Sequence, residues 1–136
     1  MLKEDYLMRF LQQFNESLSK WLSKKKIDSE ETLYSFNQEL VKPYLDKDFA
    51  FFEDRNSKET IAYFEQNFPR QDEAFSKIEI LSELFFQHAL LTTDENKKNQ
   101  SLQSAKNLLL FLIQNDKTYS IVRENKLNDI NEMMSI

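Results

Sequence analysis

No glycine occurs among the 136 residues, and this absence constrains the fold more than any other feature of the chain. Glycine supplies the positive φ of tight hairpin turns without steric cost, so a sheet protein of this size is hard to build without it. Helices tolerate the loss, because Asn can take the left-handed position after a helix C-terminus. The expected fold class is therefore all-α. The same absence excludes chemistry. The phosphate-cradling GxxxxGK(S/T) loop, the dinucleotide GxGxxG fingerprint and the GxSxG nucleophile elbow each need glycine where the backbone turns sharply or approaches a ligand.

The chain suits a single domain, 1–136, long enough to bury a substantial core. Hydrophobic residues make up 40% and charged residues 30%, which is ordinary globular usage and argues against global disorder. Twelve Phe supply bulk for a helical core. A net charge of −5 speaks against a nucleic-acid surface, which needs clustered Lys and Arg. The one basic run, Lys24-Lys25-Lys26, falls at an expected helix end, where it complements the helix dipole. With no Cys there is no disulfide framework or thiol chemistry. The start, Met1 to Asp5, is charged and lacks an apolar signal core. The longest apolar run, Leu108 to Ile113, falls far short of the roughly 20 residues that span a bilayer. A cytoplasmic protein without membrane or nucleic-acid partners is expected.

Hydrophobic spacing predicts six or seven helices joined by short loops, packed as antiparallel neighbours in one bundle. The first covers about residues 2–23, with Leu7, Phe10, Leu11, Phe14, Leu18, Trp21 and Leu22 on one stripe. Ser29 reads as the cap of a second, with Leu33, Phe36 and Leu40 inward, which Pro43 should end or kink. A short helix is expected around Phe49–Glu53. Ser57 then caps a helix through Asn67 with Ile61, Phe64 and Phe68 inward. Asp72 opens the next, where Phe75, Ile78, Leu81, Phe85 and Ala89 align up to Leu91. The polar stretch Thr92–Gln100 reads as a loop with a frayed helix start. Ser101–Gln114 forms a helix apolar on most faces, as expected of one buried centrally or lying at a partner surface. Ser120 caps a last helix carrying Ile121, Leu127, Ile130 and Met134.

Chemistry-bearing patterns are sparse. His88 is the only histidine, so HExxH and three-His zinc sites are excluded; at the rim of a helix face it reads as structural. Glu79 and Glu83 share a helix face at i,i+4, a spacing that could serve acid–base work in an apolar pocket but reads first as a solvated face. No catalytic, metal or cofactor residue is assigned. The aromatic stripe of the first helix suits the domain's own core, a partner helix or a membrane surface, in that order. With the all-round apolar segment it supplies the candidate interaction surface: Phe10, Phe14, Trp21, Leu110 and Phe111.

The segment Ile80-Leu81-Ser82-Glu83-Leu84-Phe85-Phe86-Gln87-His88-Ala89-Leu90, followed by a helix with the small Ala105 and then Asp116-Lys117-Thr118-Tyr119-Ser120, resembles a degenerate tetratricopeptide hairpin within 78–130. It departs from that family's pattern in a longer inter-helix loop, bulky residues in place of a small one in the first helix, and no closing Pro. Together with the opening Glu4-Asp5-Tyr6-Leu7-Met8-Arg9, the chain is also similar to a bacterial family of small all-helical proteins of unknown activity. These resemblances imply an intracellular helical protein and carry over no functional residue.

The sequence thus points to a non-enzymatic module that binds a protein partner or a second copy of itself, through an apolar or aromatic helix face. The alternative is a small-molecule binder in which Phe49, Phe51 and Phe52 line a cavity between helices.

Overall fold

The computed structural model describes residues 3–24, 29–117 and 120–135, and among these every regular element is helical. The elements are α1 (Lys3–Lys24), α2 (Ser29–Phe36), a π turn (Asn37–Val41), α3 (Lys42–Leu45), α4 (Phe49–Glu53), α5 (Ser57–Asn67), α6 (Gln71–Leu91), α7 (Glu95–Asn115) and α8 (Ile121–Met134). Since α2, the π turn and α3 run on as one rod, the described residues form seven helices, an all-α bundle. Lys25, Lys26 and the capping side chain of Ser29 lie outside the described residues.

Pro43 neither ends nor separates the second helix. In α geometry its ring would clash with the carbonyl four residues back, and its missing N–H would break the ladder. The chain meets this with a wider turn just before it: the Lys42 N–H bonds to the Asn37 carbonyl, five residues back. The extra residue in that turn brings adjacent Leu40 and Val41 both into the core. On the α2 side the buried stripe is Thr32, Phe36 and Leu40, so Leu33, expected inward, is left 40% exposed one position round the helix. The rod closes at Asp46, with φ 64°, ψ 4° and its N–H on the Lys42 carbonyl. Asp, not Asn, takes the one left-handed position among the described residues, a conformation its short polar side chain tolerates.

Two further boundaries differ from the sequence expectation. Asn56, not Ser57, caps α5: its Oδ1 accepts the Glu59 N–H at 2.8 Å while its own N–H donates to Glu59 Oε1 at 3.3 Å, a reciprocal capping box. Asn56→Ala is expected to cost about 1 kcal/mol and to lower the melting temperature by roughly 3–4 °C in a circular-dichroism melt, with Asn56→Ser near wild type. The loop expected over Thr92–Gln100 shrinks to Thr92–Asp94. Asp94 accepts the Asn96 and Lys97 N–H groups, and this cap lets a polar first turn become helical. Ser120 caps α8 as expected, accepting the Arg123 N–H.

The centre of the bundle is the α6–α7 antiparallel hairpin. Fourteen of the 21 residues of α6 are buried, so this helix faces neighbours on most sides: α7 along its length, α1, the π turn and α3 on one flank, and α5 on another. The apolar α7 segment is buried centrally at Leu108, Leu109 and Leu112. Two polar residues pin the periphery to α6. Tyr44 Oη donates to the Gln13 carbonyl of α1 at 3.1 Å and meets Ser17 Oγ at 2.5 Å. Buried Lys77 donates Nζ to the Tyr44 carbonyl at the end of α3, flanked by the rings of Phe10 at 4.7 Å and Phe68 at 4.9 Å. Burial pulls the Lys77 pKa down, with Asp46 and Glu73 working against it. No described helix is long and apolar enough to cross a membrane.

Candidate functional site

The principal concave surface lies where α1 and α8 diverge above α6. α1 packs on α6 and α8 packs on α7, which leaves a groove with α6 as its floor. At one end it is a depression of about 530 Å³ among Leu7, Met8, Leu11, Phe75 and the Glu79–Arg123 pair. Further along, it narrows to a slot of about 100 Å³ floored by Ile80 and Leu109 and walled by Leu11 and Phe14 on one side and Val122 and Lys126 on the other. Beyond Leu11 the outer face of α1 is polar, through Gln12, Asn15, Glu16, Ser19 and Lys20. Met8 and Val122 stand at its lips, 68% and 71% exposed. Apolar side chains at the rim of a concave surface are open to contact by a partner.

The charges in the groove are arranged across helices. Arg123 of α8 donates Nε to Glu79 Oε1 of α6 and reaches Asp116 Oδ2 at 3.0 Å. Burial opposes the guanidinium's charge, but Glu79 and Asp116 outweigh it and raise its pKa. One turn on, Lys126 Nζ lies 3.3 Å from Glu83 Oε1 and 4.0 Å from the centre of the Phe86 ring. Glu83 also accepts from Gln87. The i,i+4 pair Glu79 and Glu83 is therefore matched by Arg123 and Lys126 at i,i+3, each acid facing a base. This geometry neutralises charge and leaves neither carboxylate placed as a general acid or base.

A second polar cluster lies inside the core. His88 is 5% exposed, with the Phe49 ring tilted against it at 4.5 Å and Ser101 Oγ 2.7 Å from Nδ1. Glu53 Oε2 approaches Nε2 at 3.8 Å, too long for a hydrogen bond. Burial, helped by Lys97, pushes the His88 pKa down to about 4, so the ring is neutral at neutral pH. Sequence order had hidden this Ser–His–acid grouping. Ser101 is 2% exposed, at the inner wall of a depression of about 390 Å³ that Glu53 and Phe85 also line. Nucleophilic catalysis needs an accessible hydroxyl; here the cluster joins α4, α6 and α7. No group of His and carboxylates able to hold a metal occurs among the described residues.

The five residues of the expected interaction surface are not brought together. Phe14 and Trp21 belong to the core, Trp21 donating Nε1 to Ser35 Oγ at 2.8 Å, which removes them from any outer face. Phe10 leans on Tyr44, Phe111 on Phe75, and Leu110 is half-buried. Of the five, Phe14 alone touches the groove, deep in its slot. The aromatics Phe49 and Phe52 are buried among Phe36, Phe85 and Phe64, and Phe51 packs on Tyr63 under the Arg55 guanidinium; their rings fill the space expected to be a cavity. Sequence reasoning missed Met8, Val122 and Arg123. The adjacent apolar pair Ile121-Val122 was the available signal, because two neighbours on a helix seldom both face the core; both are exposed here. No family model, curated protein or solved structure matches the chain.

Proposed function

We propose that the chain is a non-enzymatic, cytoplasmic docking module whose groove between α1 and α8 takes an amphipathic helix of a protein partner. The observation that carries this reading is the groove's shape: an apolar wall that follows α1 from Leu7 through Met8 and Leu11 to Phe14, about 10 Å at 1.5 Å per residue. That length takes about two turns of helix. The slot floored by Ile80 and Leu109 has room for one bulky aliphatic or aromatic side chain, the anchor on which such interfaces depend. The groove's charges already neutralise one another, so the complementary partner face is apolar and uncharged, and a polyanion such as nucleic acid gains nothing there. The resemblance of the sequence over 78–130 to a tetratricopeptide hairpin supports a partner-binding role.

The test is selection of helical peptides from a random library on the wild-type domain, followed by binding to Val122→Arg. Val122 is 71% exposed, so the fold should survive the change. The expected result is a consensus with apolar residues at i, i+3 or i+4 and i+7, whose affinity falls at least about tenfold for Val122→Arg, the effect of placing a charge against an apolar anchor. Peptides lacking that pattern, or binding both proteins equally, would overturn the reading. A dimer in sedimentation that Val122→Arg dissociates would assign the groove to a second copy of the chain instead.

A further inference from the structure

We infer that α8 is a movable wall of this groove, held closed by two charge latches more than by apolar packing; the regulatory meaning rests on the docking function proposed above. Of the 14 residues of α8, only Ile130 is fully buried, against 14 of 21 in α6. Its apolar residues are scattered round the axis, and its first turn offers Ile121 and Val122 to solvent at 58% and 71% exposure. What ties this half of α8 to the body is ionic. Arg123 is bonded to Glu79 on α6 and to Asp116 at the end of α7, and Lys126 faces Glu83 and the Phe86 ring. A segment with few buried apolar contacts opens before the rest of a domain. Because Val122, Arg123 and Lys126 form one side of the 100 Å³ slot, release of α8 widens the slot and gives a partner's anchor residue access to Ile80 and Leu109. The latches set how often the slot admits it.

Hydrogen exchange followed by mass spectrometry tests this on the whole protein, for wild type, Arg123→Gln and Arg123→Lys, without any ligand. Glu79 and Asp116 are partly exposed, so water can solvate them when the guanidinium is gone. The expected result is exchange in α8 about tenfold faster in Arg123→Gln, intermediate in Arg123→Lys, with α6 and α7 unchanged. Raising salt from about 0.1 to about 1 M should move wild type in the same direction, as screening shortens from roughly 10 to 3 Å. Unchanged α8 exchange in Arg123→Gln, or an increase shared equally by α6, would overturn the inference by placing α8 within the cooperative core. Either result is independent of whether peptides select the groove.

Discussion

Phe36→Ala is expected to lower the melting temperature by roughly 10–15 °C, the largest effect of any single truncation proposed here. Phe36 is 1% exposed at the point where the rod of α2 and α3 meets α1, α4 and α6. Its ring lies 5.6 Å from Trp21, 5.5 Å from Phe49 and 6.5 Å from His88. Removing a fully buried Phe forfeits its transfer free energy and leaves a cavity, together about 3–5 kcal/mol. The site cannot collapse easily, because its walls are large rings carried by three separate helices. A thermal melt followed by circular dichroism gives the magnitude. The single tryptophan gives the location: Trp21 loses its ring neighbour, and its emission should shift to longer wavelength in the folded variant. Phe36→Leu, which refills most of the volume, should recover more than half of the loss. A fall of only a few degrees, with Trp21 emission unchanged, would remove Phe36 from the centre of the core.

Mild acid should destabilise the protein through His88, and by about 3 kcal/mol between pH 6.5 and about 4. The sign follows from which state binds the proton. In the unfolded chain the imidazole protonates below its ordinary pKa of 6.5. In the folded protein burial holds it neutral down to about 4. Across that window the unfolded state carries the extra proton, so stability falls as pH falls, by about 1.4 kcal/mol per unit. Above pH 6.5 both states are neutral and the contribution is flat; below about 4 both are charged and the slope ends. Burial dominates and Lys97 reinforces it, while Glu53 at 3.8 Å does not compensate. Urea unfolding of wild type and His88→Gln at a series of pH values isolates the effect. The difference between the two curves should close by about 3 kcal/mol on acidification, since the variant has no proton to take up there. Parallel curves over this range would mean that His88 titrates normally and is not enclosed.

How much of this was legible beforehand depended on the distance over which each feature is decided. The stripe Leu7, Phe14, Leu18 and Trp21 could be read directly as one helix face, because three-and-four spacing is a property of one helix; that this face turns into the core depends on what packs against it. The start of α7 is not legible in the sequence because the first turn after Asp94, Glu95 to Lys98, is polar throughout, and polarity alone resembles a loop. Pro43 reads as an end or a kink because its effect on an α-helix is severe; the π turn that admits it goes with the burial of Leu40 and Val41 together, which no local rule anticipates. Within the site, Glu79 and Glu83 were visible as an i,i+4 pair, whereas their partners lie on α8, with Arg123 44 residues from Glu79. Ser101 is 13 residues from His88, and nothing distinguishes it from other serines until the α6–α7 turn is formed.

Taken by itself, then, the glycine-free sequence determined the helical class, the main core stripes and the exclusion of phosphate loops and the nucleophile elbow. All of these rest on φ preferences and side-chain periodicity within single segments. The tertiary structure alone decided that Phe14 and Trp21 face inward while Met8 and Val122 face out, that α1 and α8 diverge to leave a groove, and that the charges on α6 and α8 cancel across it. Those outcomes depend on which helix covers which face, and that choice is made by packing among residues far apart in the chain.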